Sequence, residues 1–520
     1  MIDGSVLIGS QAIRREAAFH AVDPATGETL PQGFAEATAE DVARACALAA
    51  AAADRFGGLE PRARGAFIEA AAEAILAIGD VLVETAMSET GLPRVRLEGE
   101  RMRTGNQLRM FAAELREGRW LDATIDPALP DRAPPRADLR RMNLPLGPVA
   151  VFGASNFPLA FSVAGGDTAA AFAAGCPVVV KGHPAHPGTG ELVARAVQRA
   201  VAEAGLPEGV FSYLPGRANA LGAALVADPR IKAVGFTGSR AGGLALMDIA
   251  ARRPEPIPVY AEMSSINPVV LMPAALAARA EALGAAFVGS LTLGAGQFCT
   301  NPGLVLAVEG PDLDRFAAAA SDALAGIEPP AMLTPGIHAA CGRGLAALET
   351  RAARLATGQA ASGPNRCSAA IFSVSAEAFM ADPALGEEVF GAVSLIVHCR
   401  DLAELAEVVA GLEGQLTASL QLDPADEGAA AAILPLLQQK AGRVLANGWP
   451  TGVEVTPAMV HGGPLPATSD GRSTSVGTLA MARFLRPVCW QDIPDALLPP
   501  PLQAANPWQL PRRVDGEWQA

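Results

Sequence analysis

The strongest candidate for a reactive residue is Cys299, at the end of the run Gly296-Gln-Phe-Cys299. A cysteine thiolate attacks an electrophilic carbon when its charge is stabilised and a substrate can reach the sulfur. The glycine in this run lets backbone N–H groups approach a reacting oxygen, and the N–H of Cys299 is one such donor. The alternative is a buried structural thiol, which is the ordinary role of a cysteine among apolar residues.

Two further residues have side chains that suit acyl chemistry. Asn156 lies in Ser155-Asn-Phe-Pro158, and its amide can donate a hydrogen bond to a developing oxyanion without titrating. Glu262 ends the apolar run Val259-Tyr-Ala-Glu262, where partial burial raises a carboxyl pKa towards that of a general base. The alternatives are a turn residue before proline for Asn156, and a helix cap or an ion-pair member for Glu262.

A glycine-rich segment, Phe236-Thr-Gly-Ser-Arg-Ala-Gly-Gly243, suits a phosphate-binding turn. It follows a predicted strand and opens a predicted helix, so its backbone N–H groups would face a diphosphate at the helix N-terminus. Gly342-Arg-Gly-Leu-Ala-Ala347 satisfies a looser glycine pattern, but it does not follow a strand. We therefore expect a nucleotide at residues 236–243.

The elements that hold these residues are predicted from apolar runs and capping residues. Residues 34–118 are alanine-rich and helical in pattern, with a capping box at Thr38 and Asp41 and helix starts at Pro61 and Pro93. Further along, short apolar runs alternate with helical stretches, which predicts a parallel sheet with both faces covered and a nucleotide at the carboxyl ends of its strands. The predicted strands are Val149–Phe152, Pro177–Val180, Gly209–Tyr213 and Ile231–Phe236, and the predicted crossover helices are 158–174, 188–204, 217–227 and 239–252.

Three other stretches complete the organisation. A second α/β stretch covers about residues 266–449, and the segments Arg136–Leu144 and Ala482–Gln491 predict a strand arm. Ala282–Val308 contains no charged residue and is long enough to span a bilayer. Its glycines and polar side chains would leave hydrogen-bonding groups unsatisfied in lipid, so we predict a buried helix that runs into a buried loop.

Composition excludes several classes of protein. Half of the 520 residues are hydrophobic and 18% are charged, which argues against disorder. The net charge of −14 argues against nucleic acid or an anionic membrane as the main partner. The seven cysteines are odd in number and form no CxxC pair, so we expect no disulfide framework and no metal site. Residues 1–21 have no apolar signal core, and we expect a reduced, cytoplasmic protein.

Five motifs in register resemble the aldehyde dehydrogenase superfamily over nearly the whole chain. They are Asn156-Phe-Pro158, Val179-Val-Lys181, Phe236-Thr-Gly-Ser239, Gly296-Gln-Phe-Cys299 and Glu387-Glu-Val-Phe-Gly391. The resemblance implies an α/β fold with a Rossmann-type nucleotide-binding domain, an α/β catalytic domain and a small β arm for oligomerisation. With its bounds placed on this sequence, the nucleotide-binding domain covers 1–130 and 147–262, the catalytic domain 263–475, and the arm and C-terminal tail 131–146 and 476–520.

The resemblance also implies a role for each matching residue. Cys299 is the nucleophile, Asn156 donates to the oxyanion, and Glu262 activates the hydrolytic water. The thiolate adds to an aldehyde to give a thiohemiacetal, a hydride leaves to the nicotinamide, and water releases the acid from a thioester. The implied cofactor contacts are Lys181, Gly238, Ser239, Gly243, Glu388 and Phe390. The implied partners are a small-molecule aldehyde and further copies of the chain in a homodimer or homotetramer.

Two departures from the family pattern bear on the cofactor. After Lys181 the usual Pro-x-Glu is replaced by Gly182-His-Pro184, which removes a glutamate that repels a 2′-phosphate. We therefore expect NADP to be preferred, with NAD as the alternative, and His183 and Arg217 as contacts to the phosphate. Around the base, the usual Glu-Leu-Gly-Gly is Glu262-Met-Ser-Ser265, which changes the local backbone freedom.

The substrate is predicted from a narrower resemblance. Several C-terminal motifs, among them Met459-Val-His-Gly-Gly-Pro464 and Thr474-Ser-Val-Gly477, look like those of α-ketoglutaric semialdehyde (2,5-dioxovalerate) dehydrogenases. An NADP-dependent medium-chain or fatty aldehyde dehydrogenase and a non-catalytic structural protein with the same fold remain as alternatives. The expected substrate contacts are Phe157 and Phe161, with Arg103, Arg109 or Arg472 binding a distal carboxylate.

Overall fold

The computed structural model describes residues 2–519. Its strands are β1 (Val6–Ile8), β2 (Gln11–Ile13), β3 (Phe19–Val22), β4 (Thr29–Phe34), β5 (Thr124–Asp126), β6 (Leu139–Pro145), β7 (Val149–Phe152), β8 (Val178–Lys181), β9 (Phe211–Leu214), β10 (Ala233–Thr237), β11 (Val259–Glu262), β12 (Pro268–Leu271), β13 (Leu304–Val308), β14 (Ala353–Thr357), β15 (Ala370–Ser375), β16 (Val393–Cys399), β17 (Gln415–Gln421), β18 (Ala441–Ala446), β19 (Leu485–Gln491), β20 (Arg512–Val514) and β21 (Glu517–Gln519). Its helices are α1 (Ala39–Gly57), α2 (Pro61–Leu76), α3 (Asp80–Thr90), α4 (Arg94–Glu117), α5 (Gly166–Ala174), α6 (Pro187–Glu203), α7 (Asn219–Ala227), α8 (Arg240–Ala251), α9 (Pro273–Thr292), α10 (Pro311–Ala325), α11 (Pro335–Glu349), α12 (Ala376–Ala381), α13 (Leu402–Gly411) and α14 (Glu427–Lys440).

The first sheet has the strand order β11-β10-β7-β8-β9-β1-β2, and β7 to β11 are mutually parallel. Alternate residues of β7 enter different cores: Val149 and Val151 pack with α2, α4, α5 and α6, while Ala150 and Phe152 pack with α1, α7 and α8. Both faces are therefore covered, as the apolar runs predict, and the four predicted strands are confirmed with ends shifted by at most two residues.

Two local expectations have different outcomes. The capping box at α1 is confirmed, because the Thr38 hydroxyl accepts from the Asp41 N–H and the Asp41 carboxylate accepts from the Thr38 N–H. The predicted helix over 158–174 is wrong in its first half, since α5 begins only at Gly166. A tight loop precedes it, in which a Cβ at Gly165 would lie 2.6 Å from the Ala160 carbonyl oxygen.

The second sheet has the strand order β14-β15-β16-β13-β12-β17-β18 and is parallel except for β14. Helices α9 and α10 pack on one face, while α11, α13 and α14 pack on the other. The segment that contains Cys299 enters β13, and Glu262 ends β11 of the first sheet. The candidate site therefore lies where the two sheets meet.

The third sheet has the order β19-β6-β5-β20-β21. Strands β6 and β19 pair antiparallel along their whole length, so the predicted strand arm is present. Strand β5 also belongs to this sheet, although it falls within the 1–130 segment expected to bind the nucleotide. Burial explains the difference, because Ile125 packs with Leu498 and Leu510 of the C-terminal tail.

The uncharged stretch is a core helix and a loop. Within residues 2–519, Pro273–Gly296 is long and apolar enough to cross a membrane by length and composition. In this fold its residues Leu283, Phe287 and Leu291 are buried against α10 and the second sheet. The helix ends at Thr292 and leads into the Cys299 loop, as predicted.

Candidate active site

Two features fix the loop that contains Cys299. Gly296 has a φ of +69°, and a Cβ there would lie 2.2 Å from the Gly391 carbonyl carbon, so only glycine fits. The side-chain amide of Asn267 donates to the carbonyl oxygens of Cys299 and Asn301, at 2.9 Å each. The loop of this candidate nucleophile is thus held by Asn267, which lies directly before β12.

Cys299, Glu262, His461 and Ser475 form a compact group, here called the catalytic cluster. Nε2 of His461 lies 2.9 Å from Oε1 of Glu262 and 3.4 Å from Sγ of Cys299. The Ser475 hydroxyl donates to Oε2 of Glu262 at 2.6 Å. His461 is fully buried and Glu262 is 3% exposed, so both carboxylate oxygens are held by protein groups away from bulk water.

The pKa of Glu262 contradicts the expectation from burial. Burial raises it, but the His461 charge and hydrogen bonds from His461, Ser475 and Cys299 together outweigh burial, and the pKa is lowered. Glu262 is therefore ionised at neutral pH. Burial, reinforced by the negative charge of Glu262, raises the pKa of Cys299 well above its usual value, so the resting sulfur is a thiol.

The donor atoms of Cys299, Glu262 and His461 all lie within 4.8 Å of one another. A thiolate, an imidazole and a carboxylate are also a ligand set that suits zinc. The same three groups are, equally, a nucleophile, a hydrogen-bond donor and a base within reach of one another, which is the arrangement that activates a thiol.

Asn156 lies beside the nucleophile loop. Its side-chain nitrogen donates to the main-chain carbonyl oxygen of Gln297 at 3.0 Å, and its main-chain carbonyl oxygen accepts from Arg96 at 2.8 Å. One N–H of the amide is used in the first bond, which leaves the second as a donor. The residue is thus fixed from both sides.

Phe157, Phe161 and Phe298 form an aromatic wall, in which the Phe157 ring lies 5.2 Å from Phe161 and 5.5 Å from Phe298. Ala154, Ala160 and Val476 complete this apolar cluster. The Arg96 guanidinium lies over Phe157 and Phe298, and that of Arg103 lies over Phe157 and Phe161, at 4.5 to 5.6 Å. The wall therefore combines apolar surface with two cations.

The three candidate arginines for a substrate carboxylate lie in different places. Arg103 is half-buried at the aromatic wall, and within residues 2–519 its Nε and one Nη are buried without a hydrogen-bond partner. Arg109 lies on the same helix but bonds to Glu73 at the surface. Arg472 is 92% exposed and bonds to Asp470. The structure brings Arg103 to the site and leaves the other two outside it, because each of those is paired with a surface carboxylate.

The Met-Ser-Ser departure after Glu262 has a structural reason. The Ser265 hydroxyl contacts Oδ1 of Asn267 and Oε1 of Gln415 at 2.9 Å each and accepts from the Leu416 N–H. Asn267 is the residue that holds the Cys299 loop. Ser265 therefore connects the end of β11 to the Cys299 loop, through hydrogen bonds that glycine could not make.

The turn between β10 and α8 has the form expected of a diphosphate site. Ser239 is the N-cap of α8, and its hydroxyl accepts from the Gly242 N–H at 3.2 Å. The Gly238 N–H donates to the Glu262 carbonyl oxygen, which fixes the turn to the base strand. A Cβ at Gly243 would lie 2.6 Å from the Met263 sulfur, so glycine is needed for the helix to approach β11.

Lys181, His183, Arg217 and Glu36 form a second group at the carboxyl ends of β8 and β9, here called the ribose region. Burial lowers the pKa of Lys181 to about 8, against the opposing charge of Glu36. Oε1 of Glu36 accepts from the backbone N–H groups of Arg217 and Ala218 at 2.8 and 2.7 Å. An acidic group therefore lies close to Lys181 even though the glutamate after Lys181 is missing.

His183 does not supply the positive charge expected of it. Burial, with the charges of His186 and Lys181, lowers its pKa well below the usual value, so the ring is neutral at neutral pH. Its ring stacks on that of His186 at 5.0 Å, and Nδ1 accepts from the Ala185 N–H. Arg217 is exposed.

Glu388 and Phe390 line a pocket together with Ser265 and Phe298. Burial, followed by the charge of Glu262, raises the pKa of Glu388 to about 8 in spite of a hydrogen bond from Ser265. The residues implied to contact a nicotinamide riboside thus share one cavity with the segment that holds Cys299.

Five residues of the site were missed as functional residues in the sequence: His461, Ser475, Asn267, Arg96 and Glu36. His461 and Ser475 lie inside the C-terminal motifs of the narrower resemblance, and this is the signal that could have identified them. His461 is also one of only six histidines in the sequence. Asn267, Arg96 and Glu36 act through contacts across 32 to 181 residues of sequence, which no local pattern reveals.

Comparison with known proteins gives consistent matches. The profile of the aldehyde dehydrogenase family matches residues 12–464. Alpha-ketoglutaric semialdehyde dehydrogenase 2 of Azospirillum brasilense is 58% identical over 521 residues, covering 99% of each chain. Alpha-ketoglutaric semialdehyde dehydrogenase of Acinetobacter baylyi is 47% identical over 487 residues, covering 93% of this chain and 92% of the relative.

A solved structure gives the same fold. Aldehyde dehydrogenase C of Pseudomonas syringae, in complex with NAD+ and octanal, superposes with a TM-score of 0.79 over 94% of this chain and 96% of its own, at 21% identity.

Proposed function

The chain belongs to the aldehyde dehydrogenase family, and from this premise we propose that it oxidises α-ketoglutaric semialdehyde to α-ketoglutarate, with NADP preferred over NAD. The observation that carries the proposal is that the catalytic cluster lies beside an aromatic wall on which Arg103 packs. Both relatives that match over most of the chain carry the name of that semialdehyde activity.

The first step is attack of Cys299 on the aldehyde carbon. The sulfur is a thiol at rest, so its proton must go to a neighbouring base as the S–C bond forms. Glu262 is ionised and has an oxygen within 4.8 Å of Sγ, and it takes that proton. His461 donates through Nε2 to Glu262, and the same nitrogen lies 3.4 Å from Sγ. It can therefore stabilise the negative charge on either the Glu262 carboxylate or the Cys299 thiolate.

The oxyanion formed in this step meets two fixed donors. One is the backbone N–H of Cys299, and the other is the second N–H of the Asn156 amide. The Asn156 amide is held by its bond to Gln297, and Arg96 fixes the main chain at the same residue, so the amide needs no reorientation when charge develops. Preorganised donors of this kind are each worth roughly 10²–10³ in rate.

The residues present fit a dinucleotide cofactor. The glycine turn before α8 with Ser239, the partly buried Lys181, and Glu388 with Phe390 at the cavity would hold its diphosphate, adenine ribose and nicotinamide riboside respectively. When bound, the cofactor supplies the hydride acceptor. Arg217 is the charged group proposed to face a 2′-phosphate.

The last step is hydrolysis of the thioester on Cys299. Glu262 first releases the Cys299 proton to solvent, which its lowered pKa favours, and then takes a proton from the attacking water. Ser475 and His461 hold its two oxygens, so the carboxylate keeps one orientation through both half-reactions.

Substrate choice rests on Arg103. Its unpartnered N–H groups within the described residues lie at an apolar wall, where a guanidinium pairs well with a carboxylate. The same wall favours medium-chain or fatty aldehydes, which is the second candidate function. The two differ in whether a distal carboxylate helps or hinders.

The test is kcat/KM for α-ketoglutaric semialdehyde and for hexanal, each with NADP and with NAD. We expect the semialdehyde to exceed hexanal and NADP to be used at least as well as NAD. A preference for hexanal would favour the apolar-substrate alternative, and a strong preference for NAD would assign Glu36 to the cofactor ribose.

We further propose a cytoplasmic homodimer or homotetramer. Strand β19 is an edge strand of the third sheet, so its outer backbone groups are available to pair with another copy. All seven cysteines are free thiols, which suits a reducing compartment. Light scattering after size-exclusion chromatography measures the mass, and a monomer would contradict the proposal.

A further inference from the structure

Two cysteines outside the active site face each other. Cys341 lies in α11 and Cys367 lies in the segment between β14 and β15, with their sulfurs 2.9 Å apart. Cys341 is 1% exposed and Cys367 is half-buried. Among the seven free cysteines of residues 2–519, these are the two whose sulfurs lie within hydrogen-bonding distance of each other. Neither has a part in the proposed catalysis.

We propose that Cys341 and Cys367 form a modification site, a dithiol that a peroxide converts to a disulfide and that a thiol reductant restores. The Cys367 sulfur attacks one peroxide oxygen, so that an S–O bond forms, the O–O bond breaks and one water leaves. The Cys341 sulfur then displaces the sulfenic oxygen, so that an S–S bond forms, the S–O bond breaks and a second water leaves. The two thiols lose two electrons and two protons in all, and the peroxide takes them.

The order of these two events follows from exposure and hydrogen bonding. Cys367 is the sulfur that solvent reaches, since Cys341 is buried. The thiol of Cys341 donates to Cys367, which lowers the pKa of Cys367, while the same bond and burial raise the pKa of Cys341. Cys367 is therefore the more nucleophilic sulfur, and Cys341 is placed to resolve it.

Helix α11 lies directly against residues 387–391, which contain the proposed nicotinamide contacts. A disulfide at Cys341 can therefore affect cofactor binding. A Cβ at Gly391 would lie 2.7 Å from the Cys341 sulfur, and one at Gly344 would lie 2.8 Å from Val389. A disulfide needs its sulfurs about 2.05 Å apart, so the two sulfurs must approach each other, and any movement of Cys341 changes its packing against Gly391. This consequence rests on the proposed function, because Glu388 and Phe390 flank Val389 and are its proposed nicotinamide contacts.

Peptide mapping of the full chain tests the modification itself. After hydrogen peroxide and alkylation, we expect a linked peptide pair that contains Cys341 and Cys367, lighter by two hydrogen atoms and lost on treatment with dithiothreitol. C341S should accumulate a sulfenic acid at Cys367 that a dimedone probe captures, and C367S should leave position 341 reduced. Cys489 is the matched reference, because it is exposed. Oxidation of Cys367 no faster than that of Cys489, or full alkylation of both partners, would overturn the proposal.

Kinetics of the oxidised enzyme test the route to the cofactor. We expect oxidation to raise the cofactor KM at least twofold in the wild type, with recovery in dithiothreitol, and no such change in the C341S/C367S double variant. Oxidation of Cys299 lowers kcat in both proteins and is thereby separated. A cross-linked enzyme with an unchanged KM would overturn the coupling. The linked peptide is measured without turnover, so its absence is distinguishable from failure of the proposed activity.

Discussion

The catalytic cluster and the ribose region contain similar residue types but differ in burial and in their hydrogen-bond partners. In the cluster, Glu262, His461 and Ser475 are buried and bonded to one another, although 199 and 213 residues of sequence separate Glu262 from its two partners. In the ribose region, Arg217 is exposed, Lys181 is half-buried, and Glu36 bonds to backbone N–H groups. The catalytic cluster is closed to solvent, whereas the ribose region is only partly buried.

The difference decides how each region responds to change. Removing one member of a buried hydrogen-bonded set leaves its partners unsatisfied, which costs about 1–3 kcal/mol for each group and more for a charge. Groups near the surface are screened by water and salt, and their pair energies are about 0–1 kcal/mol. We therefore expect large effects in the cluster and small ones in the ribose region.

The largest expected effect is at the nucleophile. C299A should lower kcat for aldehyde oxidation by at least about a thousandfold, because the covalent route is lost. Cofactor binding, measured by fluorescence titration, should stay unchanged. C489A is the matched control and should behave as wild type, since Cys489 is an exposed residue of the arm. Activity of C299A near that of the wild type would move the nucleophile elsewhere.

The next effect is at His461 and concerns pH. H461N removes the charge and a hydrogen bond that lower the pKa of Glu262, so burial then dominates and the pKa rises. Glu262 works ionised, and the acid limb of the kcat profile should therefore move to higher pH. At neutral pH kcat should fall by about a hundredfold, the size of a general acid–base contribution. An acid limb that stays in place would show that His461 does not act through Glu262.

S475A sharpens the same comparison. It removes one hydrogen bond to Glu262 and leaves the His461 charge, so the acid limb should move in the same direction by a smaller amount. A shift larger than that of H461N would show that the hydroxyl, rather than the imidazole, sets the pKa of the base. Both profiles come from one pH series of kcat.

The outcome of sequence reasoning differs between the two regions in an instructive way. The β10–α8 turn, the first sheet and the Thr38 capping box follow from local patterns, and the structure has them. The apolar run before Glu262 predicts burial and therefore a raised pKa, and this direction is wrong. His461, which lowers the pKa of Glu262, lies 199 residues away in the sequence, so no local pattern indicates its effect.

The ribose region shows the converse failure. The missing glutamate after Lys181 was visible locally, but Glu36 reaches the same area from the segment before α1 and bonds to Arg217 and Ala218. Arg103 and Arg109 were equivalent as candidates in sequence, and only the fold separates the buried one from the one paired with Glu73. Contacts between distant segments are the information that periodicity and spacing lack.

Arg103 lies between the two regions in expected effect. R103M should lower kcat/KM for α-ketoglutaric semialdehyde by roughly 10- to 150-fold, as expected for loss of a buried bidentate arginine–carboxylate contact. Hexanal has no carboxylate and should be nearly unaffected. R109M is the matched control, because Arg109 lies on the same helix and bonds to Glu73 at the surface. An equal loss for both aldehydes in R103M would make Arg103 a structural residue of the aromatic wall.

The smallest effect is expected in the ribose region, where charge rather than fit sets cofactor choice. R217S should lower the ratio of kcat/KM for NADP to that for NAD by about two- to fivefold, the size of a solvent-exposed ion pair. E36Q should raise kcat/KM for NADP and leave that for NAD unchanged, because a negative charge that would face the 2′-phosphate is lost. NAD serves as the internal reference for each variant.

The pKa of Lys181 is about 8, so KM for both cofactors should rise as the lysine loses its proton above that pH. Glu36 raises that pKa, so in E36Q the rise should begin at lower pH. If E36Q instead weakens NAD alone, Glu36 holds the ribose hydroxyls, and the ribose region is as closely fitted as the catalytic cluster.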